Sequence, residues 1–272
     1  MNTFVIAGGN SGVGLQAARE FLTAGHRVIL LGRDGRKGEA AIASFGAARD
    51  RADFLSADLS THDGVRDAAR RVGQLTDRID GLMHSAAVFA TKDIRTVDGL
   101  TLFFALSYLS RYHLTQLLLP QLLAAEHPRV VMLTATLNEV PKLDPKLFPY
   151  FEGFNFWTML MQVNGTSLYY ADYLMKTHPK IFAGCVSPGF ARTGIFRDAP
   201  WFLKLFVVLS APFRANSIAV AAHNAVQVLL RGEGSSALNW NKPGDFEQRF
   251  VITVDPAVQQ AVMAACRTVT GV

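Results

Sequence analysis

The 272 residues are half apolar and 18% charged, which suits one large domain with a substantial core and argues against a disordered chain. The net charge of +5 does not point to nucleic acid. The basic residues are scattered among acidic ones, without the aromatic-basic interleaving of a strand-binding groove.

In chain order, Phe4-Val5-Ile6-Ala7 predicts a strand over 3–7 and lacks the basic, apolar and cleavage regions of a signal peptide. A glycine-rich turn comes next, then a helix over 12–25. Strands are predicted near 27–32, 52–56, 80–85, 129–134, 181–187 and 236–241. Helices are predicted near 36–45, 61–77, 96–126, 155–178, 215–231 and 256–269. Alternation of this kind predicts an α/β fold, a doubly wound parallel sheet of about seven strands in three layers, because parallel strands need crossover helices. With no repeat or linker visible, residues 1–272 read as a single domain.

One stretch interrupts the alternation. Residues 197–213, RDAPWFLKLFVVLSAPF, are apolar, bracketed by prolines, and lie just after a strand end, where open α/β sheets bind ligands. The segment reads as a substrate lid, with core packing or a peripheral membrane contact as the other readings. It is too short, and too interrupted by Lys204, to span a bilayer, so no transmembrane segment is expected. Cys185 and Cys266, the only two cysteines, have no metal spacing. They read as buried small side chains in a cytoplasmic protein without a metal.

Chemistry concentrates first at Ala7-Gly8-Gly9-Asn10-Ser11-Gly12-Val13-Gly14. Glycines between a strand and a helix let backbone N–H groups approach a pyrophosphate, where the helix dipole also favours negative charge. After the second strand come Arg33, Arg36 and Lys37. A ribose 2′-hydroxyl wants an acceptor there, whereas a 2′-phosphate wants cations, so NADP (as NADPH) is expected over NAD.

GGNSGVG resembles the T-G-x-x-x-G-x-G turn of short-chain dehydrogenases/reductases, with Ala7 in place of threonine. Gly32-Arg33-Asp34, Asp58-Leu59 and Ser187-Pro188-Gly189 with Thr193 come in the family's order. The stretches FFALSYLSRYHLTQLLLPQLL and KTHPKIFAGCVSPG resemble its retinol-dehydrogenase-like members. The resemblance implies that Gly8, Asn10, Ser11, Gly12, Val13, Gly14, Leu59, Ala86, Pro188 and Gly189 line the cofactor. It also implies that Asp58 meets the adenine amino group and Thr193 the carboxamide.

The family's catalytic tyrosine, with a lysine four residues on, a serine and an asparagine, is not matched. No tyrosine in the chain has a lysine four residues later. Registering back from Pro188-Gly189 places Leu160 at the tyrosine position, Asn164 at the lysine, Ala135 at the serine and Ser107 at the asparagine. Thr134, Thr136 and Asn164 are left as the polar groups that could orient a substrate. Tyr169 and Tyr170 lie roughly 13–15 Å further along the helix and are poor stand-ins. His84 reads as an interior histidine and Asp172 as a surface or capping charge.

Phe148, Tyr150, Phe151, Phe154, Phe156 and Trp157 crowd around the tyrosine position. With Leu160 and Phe202 they suggest a pocket for a bulky apolar or polycyclic small molecule, such as those of specialised metabolism. The first functional reading is an atypical NADP-dependent reductase. The alternatives are a non-redox cyclase or isomerase on the same scaffold, and a catalytically silent NADP-binding protein. A homodimer stays open as the assembly.

Overall fold

A computed structural model describes residues 1–153, 155–190 and 216–272. The expected lid at 197–213, together with Thr193, Phe154 and Phe202, lies outside the described residues.

The described residues form an eight-stranded sheet of order β3-β2-β1-β4-β5-β6-β7-β8. Its strands are β1 (Thr3–Ala7), β2 (Arg27–Gly32), β3 (Ala52–Ser56), β4 (Gly81–His84), β5 (Arg129–Leu133), β6 (Phe182–Val186), β7 (Leu238–Trp240) and β8 (Phe250–Val251). All neighbours pair in parallel except β7 with β8. Seven strands match the sequence expectation. The eighth, two antiparallel residues, is too short to leave a period in the sequence.

The strands alternate side chains between two cores, as a sheet covered on both faces requires. Phe4, Ile6, Met83, Val131 and Val186 face α1 (Gly12–Thr23) and α8 (Ile218–Arg231). Val5, Ala7, Leu82, Met132 and Cys185 face the other layer. That layer holds α3 (His62–Leu75), α4 (Leu102–Phe104), α5 (Ser110–Leu117), α6 (Leu119–Leu123), α7 (Phe156–Thr177) and α9 (Pro256–Thr270). The remaining helix, α2 (Gly35–Ala43), lies between β2 and β3 in the chain. No helix of the described residues is long and apolar enough to cross a membrane.

The single helix expected over 96–126 is instead broken. Gly99 sits at φ 76, the Arg95–Thr101 bridge closes a turn around it, and the helix begins only at Leu102. A π-helical stretch over Ala105–Leu109 precedes α5. Pro120 then starts α6, because it has no N–H for the Gln116 carbonyl and clashes with it.

After β3 the chain crosses over to β4, on the far side of β1. This reversal opens a crevice at the carboxyl ends of β1 and β4, where open α/β sheets place their ligands.

Candidate functional site

Three glycines shape the turn that fills this crevice. Gly8 adopts φ 84, and a Cβ there would stand 2.5 Å from the Ala86 amide nitrogen, so only glycine lets β1 leave beside the chain segment after β4. A Cβ on Gly14 would collide with the Gly8 carbonyl oxygen. Gly12, at φ 56, starts α1.

The start of α1 differs from the starts of the other long helices. α2, α3, α7, α8 and α9 each begin with a side-chain cap, from Asp34, Thr61, Asn155, Ser217 and Asp255. Ser11, at the start of α1, makes no such bond. The first-turn N–H groups of α1 are thus left facing the crevice without a side-chain acceptor, an arrangement that fits a phosphate.

At the end of β2, Arg33, Arg36 and Lys37 are exposed. The Asp34 carboxylate accepts from the Lys37 amide at 3.1 Å and lies 3.6 Å from its ammonium. The Lys37 amide holds this carboxyl below its ordinary pKa. Past β3, Asp58 Oδ1 accepts from the Ser60 amide and hydroxyl at 3.0 and 2.6 Å, which fixes the loop containing Leu59. The Ser85 and Ala86 amides both donate to the Ala7 carbonyl at 2.8 Å.

The ends of β5 and β6 are laced together by hydroxyls. Thr136 Oγ1 lies 2.7 Å from Ser187 Oγ, which accepts from the Gly189 amide at 3.0 Å. Gly189 adopts φ 62, and a Cβ there would stand 2.6 Å from Asn216 Nδ2. Thr134 is buried, and its hydroxyl oxygen meets no partner among the described residues.

Asn164 reaches across from α7 to β5. Its Oδ1 accepts from the Ala135 amide and its Nδ2 donates to the Leu160 carbonyl, both at 2.7 Å. This bond brings the expected lysine and serine positions together, yet it commits both polar atoms of Asn164 to backbone. Leu160, one turn earlier, is partly buried against the core.

Neither remote tyrosine belongs to the crevice. Tyr170 is buried between Tyr108 and Tyr112, and its hydroxyl accepts from Gln116 Nε2 at 3.0 Å. Tyr169 is buried as well, and burial pushes the phenols of both tyrosines up. His84 is interior, 2.8 Å from the Thr115 hydroxyl, and burial holds its pKa well below the usual value.

Two expectations need correcting. Asp172 is no surface charge: it is buried, takes Lys176 Nζ at 2.7 Å and accepts from Gln259 Nε2 at 2.8 Å, tying α7 to α9. The aromatic run also splits. Phe148 and Phe151 are core residues whose ring centroids stand 5.7 and 5.0 Å from that of Phe104. Trp157, by contrast, is 72% exposed. Phe151 takes φ 50, a left-handed backbone that few non-glycine residues adopt.

Sequence reasoning misses Arg95 as part of this wall. It fastens the turn by donating to the carbonyls of Tyr150 and Phe151 at 2.7 and 3.4 Å. It also misses Arg111, a charge buried in α5 behind the strand ends. A lone arginine among the aromatic, aliphatic and uncharged polar residues of FFALSYLSRYHLTQLLL is the available signal.

Comparison with known proteins points the same way. The short chain dehydrogenase family profile matches residues 2–144. Retinol dehydrogenase 13 of Mus musculus is 34% identical over 161 residues, covering 58% of this chain and 46% of its own. The chain thus spans about half the length of that relative. A short-chain dehydrogenase/reductase of Armillaria gallica is 32% identical over 278 aligned residues, covering 93% and 85%. Among solved structures, the Pseudomonas aeruginosa RhlG/NADP active-site complex superposes with a TM-score of 0.66 at 21% identity, covering 91% and 96%.

Proposed function

Because the chain belongs to the short-chain dehydrogenase family, we propose that it is an NADP-dependent reductase of a bulky apolar small molecule that works without a tyrosine-lysine acid pair. The observation that carries the cofactor is the uncapped first turn of α1 at the β1/β4 crevice, with Gly8, Gly12 and Gly14 clearing its approach. The cofactor, when bound, supplies a hydride.

The protein's own residues do the rest. The first-turn amides of α1 hold the pyrophosphate. Arg33 and Arg36 take the 2′-phosphate, while Asp34 between them caps α2 through its Oδ1. Asp58 and Leu59 flank the adenine end. Ala86, Pro188 and Gly189 line the nicotinamide end, a placement that favours redox chemistry over a silent binding protein. Asn164 holds the Ala135 amide, so the β5 end keeps its shape although the lysine is gone.

No tyrosine stands four residues before a lysine to move a proton. The acceptor that fits is therefore already electrophilic, an iminium ion or a conjugated system that needs no proton on a developing alkoxide. Leu160 makes the floor beside the nicotinamide apolar, so a small polar substrate would lose hydration and gain nothing there. Thr134 and Thr136 are the hydroxyls left to orient a larger skeleton. The two cysteines are buried and unpaired, as suits the reducing cytoplasm.

Two measurements test this reading. Fluorescence titration is expected to show NADPH bound in clear preference to NADH. Steady-state assays on simple ketones, aldehydes and retinoids are expected to show little turnover, since general acid catalysis supplies about 10²–10⁴-fold. Ordinary turnover of that panel would overturn the reading.

A further inference from the structure

Arg111 is 2% exposed, one turn beyond Ser107 on the helical stretch that lines the site. Its Nη1 donates to Ser167 Oγ on α7 at 3.0 Å, its Nε reaches no acceptor, and no carboxylate pairs with it among the described residues. An arginine so deep is ordinarily matched by an acid, because an uncompensated buried charge is costly.

The neighbours do not cancel the charge. His84, Cys185 and Tyr108 are the titratable groups that face it. Burial keeps the imidazole neutral, pushes the thiol up to about 12 and raises the phenol. Arg111 itself, lowered to about 10 by the same burial, stays protonated at neutral pH.

Side-chain contacts tie Arg111 to the site: its partner Ser167 stands three residues beyond Asn164, which holds the Ala135 amide, and Thr115, one turn beyond Arg111, meets His84. His84, Met132 and Cys185 form one row across β4, β5 and β6, on the sheet face that α5 covers. Two residues further along each strand come Ala86, Thr134 and Ser187, the edge of the crevice. Two strand residues at about 3.3 Å each separate that row from the edge, and Ser167 stands about 4.5 Å along α7 from Asn164, which puts the buried cation on the order of 10 Å from the end of β5.

A nicotinamide ring carries a positive charge when oxidised and none when reduced. We infer that Arg111 biases the bound cofactor toward its reduced form, so that the protein holds NADPH in preference to NADP⁺ and is set to run as a reductase. This inference rests on the nicotinamide end lying over β5 and β6, as proposed above. Two like charges about 10 Å apart at an effective dielectric constant of about 20 separate the two affinities by on the order of tenfold.

The experiment compares dissociation constants for NADPH and NADP⁺, the first by fluorescence and the second by competition. Wild type is expected to favour NADPH about tenfold, Arg111→Lys to keep that ratio, and Arg111→Met to bring it close to one. Should Arg111→Met fail to fold, Ser167→Asp, which sets a carboxylate against the guanidinium, is expected to bring the ratio down in its place. A purely structural role for Arg111 would weaken both forms together and leave the ratio intact. An unmoved ratio in the neutralised variant, or none in wild type, overturns the inference while the cofactor reading stands. Failure of wild type to bind either form overturns both.

Discussion

The carboxylate of Asp34 is held by the amide and ammonium of Lys37, so the proposed preference for NADP is argued from a helix cap and its neighbours. That carboxylate accepts from the first turn of α2 and sits beside an ammonium, while the neighbouring Arg33 and Arg36 stay exposed. Arg33→Ala is therefore expected to weaken NADPH by roughly 10- to 100-fold, on the scale of the ~1.5–3 kcal/mol of a charge-assisted bond, with NADH little changed. Nicotinamide fluorescence titration of both cofactors checks this, and equal loss for the two would remove the phosphate assignment. At this scale the sequence is legible where geometry is local, as in the turn glycines at 8, 12 and 14. It is not legible for Asn164, whose residue type does not reveal that both polar atoms serve the backbone of Ala135 and Leu160. Asp172 misleads in the sequence because Lys176 four residues on resembles a surface pair, while its buried partner, Gln259, lies 87 residues away.

At the scale of elements, the turn into α1 works only if three chain segments nearly touch: the end of β1, the end of β4 and the first turn of the helix. Gly14→Ala is expected to push Gly8 and the helix apart, at a cost of about 1–3 kcal/mol from overpacking. A thermal melt should show a lowered midpoint, and NADPH titration a loss of binding larger than the melt alone explains. Unchanged affinity would mean that the turn does not hold the pyrophosphate. Strand-helix alternation is readable because each element carries its own period and, for most helices, its own cap. The break of the 96–126 region is not readable from periodicity. It comes from Gly99, from Pro120 and from a π-helical turn whose extra residue shifts the helix face without disturbing the apolar pattern.

Over the whole molecule, stability and site share one layer, because α5 and α7 carry the crevice wall at one end and pack against α9 further along. Tyr108 of the π-helical turn lies beside Met263 and Cys266 of α9, and Gln259 of α9 donates to both Asp172 and the Tyr169 carbonyl. Gln259→Ala would leave those buried acceptors short of a donor and is expected to cost about 1–3 kcal/mol, read as a shifted urea midpoint. The same layer holds two buried imidazoles, His84 and His113, and these make the fold sensitive to acid. Burial, helped by the charges of His62 and Arg66, lowers the His113 pKa from 6.5 to about 4 and leaves its Nε2 without a partner among the described residues. Burial also holds His84 well below the usual value. The unfolded chain thus takes up protons from about pH 6.5 downward, whereas the folded chain refuses one at His113 until about pH 4. In that window the unfolded state binds more protons, so stability is full above pH 6.5 and falls as the pH drops toward 4. Urea midpoints measured from about pH 7.5 to 4 should decline across this window, and His113→Asn, which cannot titrate, should flatten part of the decline. A wild-type midpoint that holds steady from pH 6.5 to 4 would mean that His113 reaches solvent and protonates in the folded state.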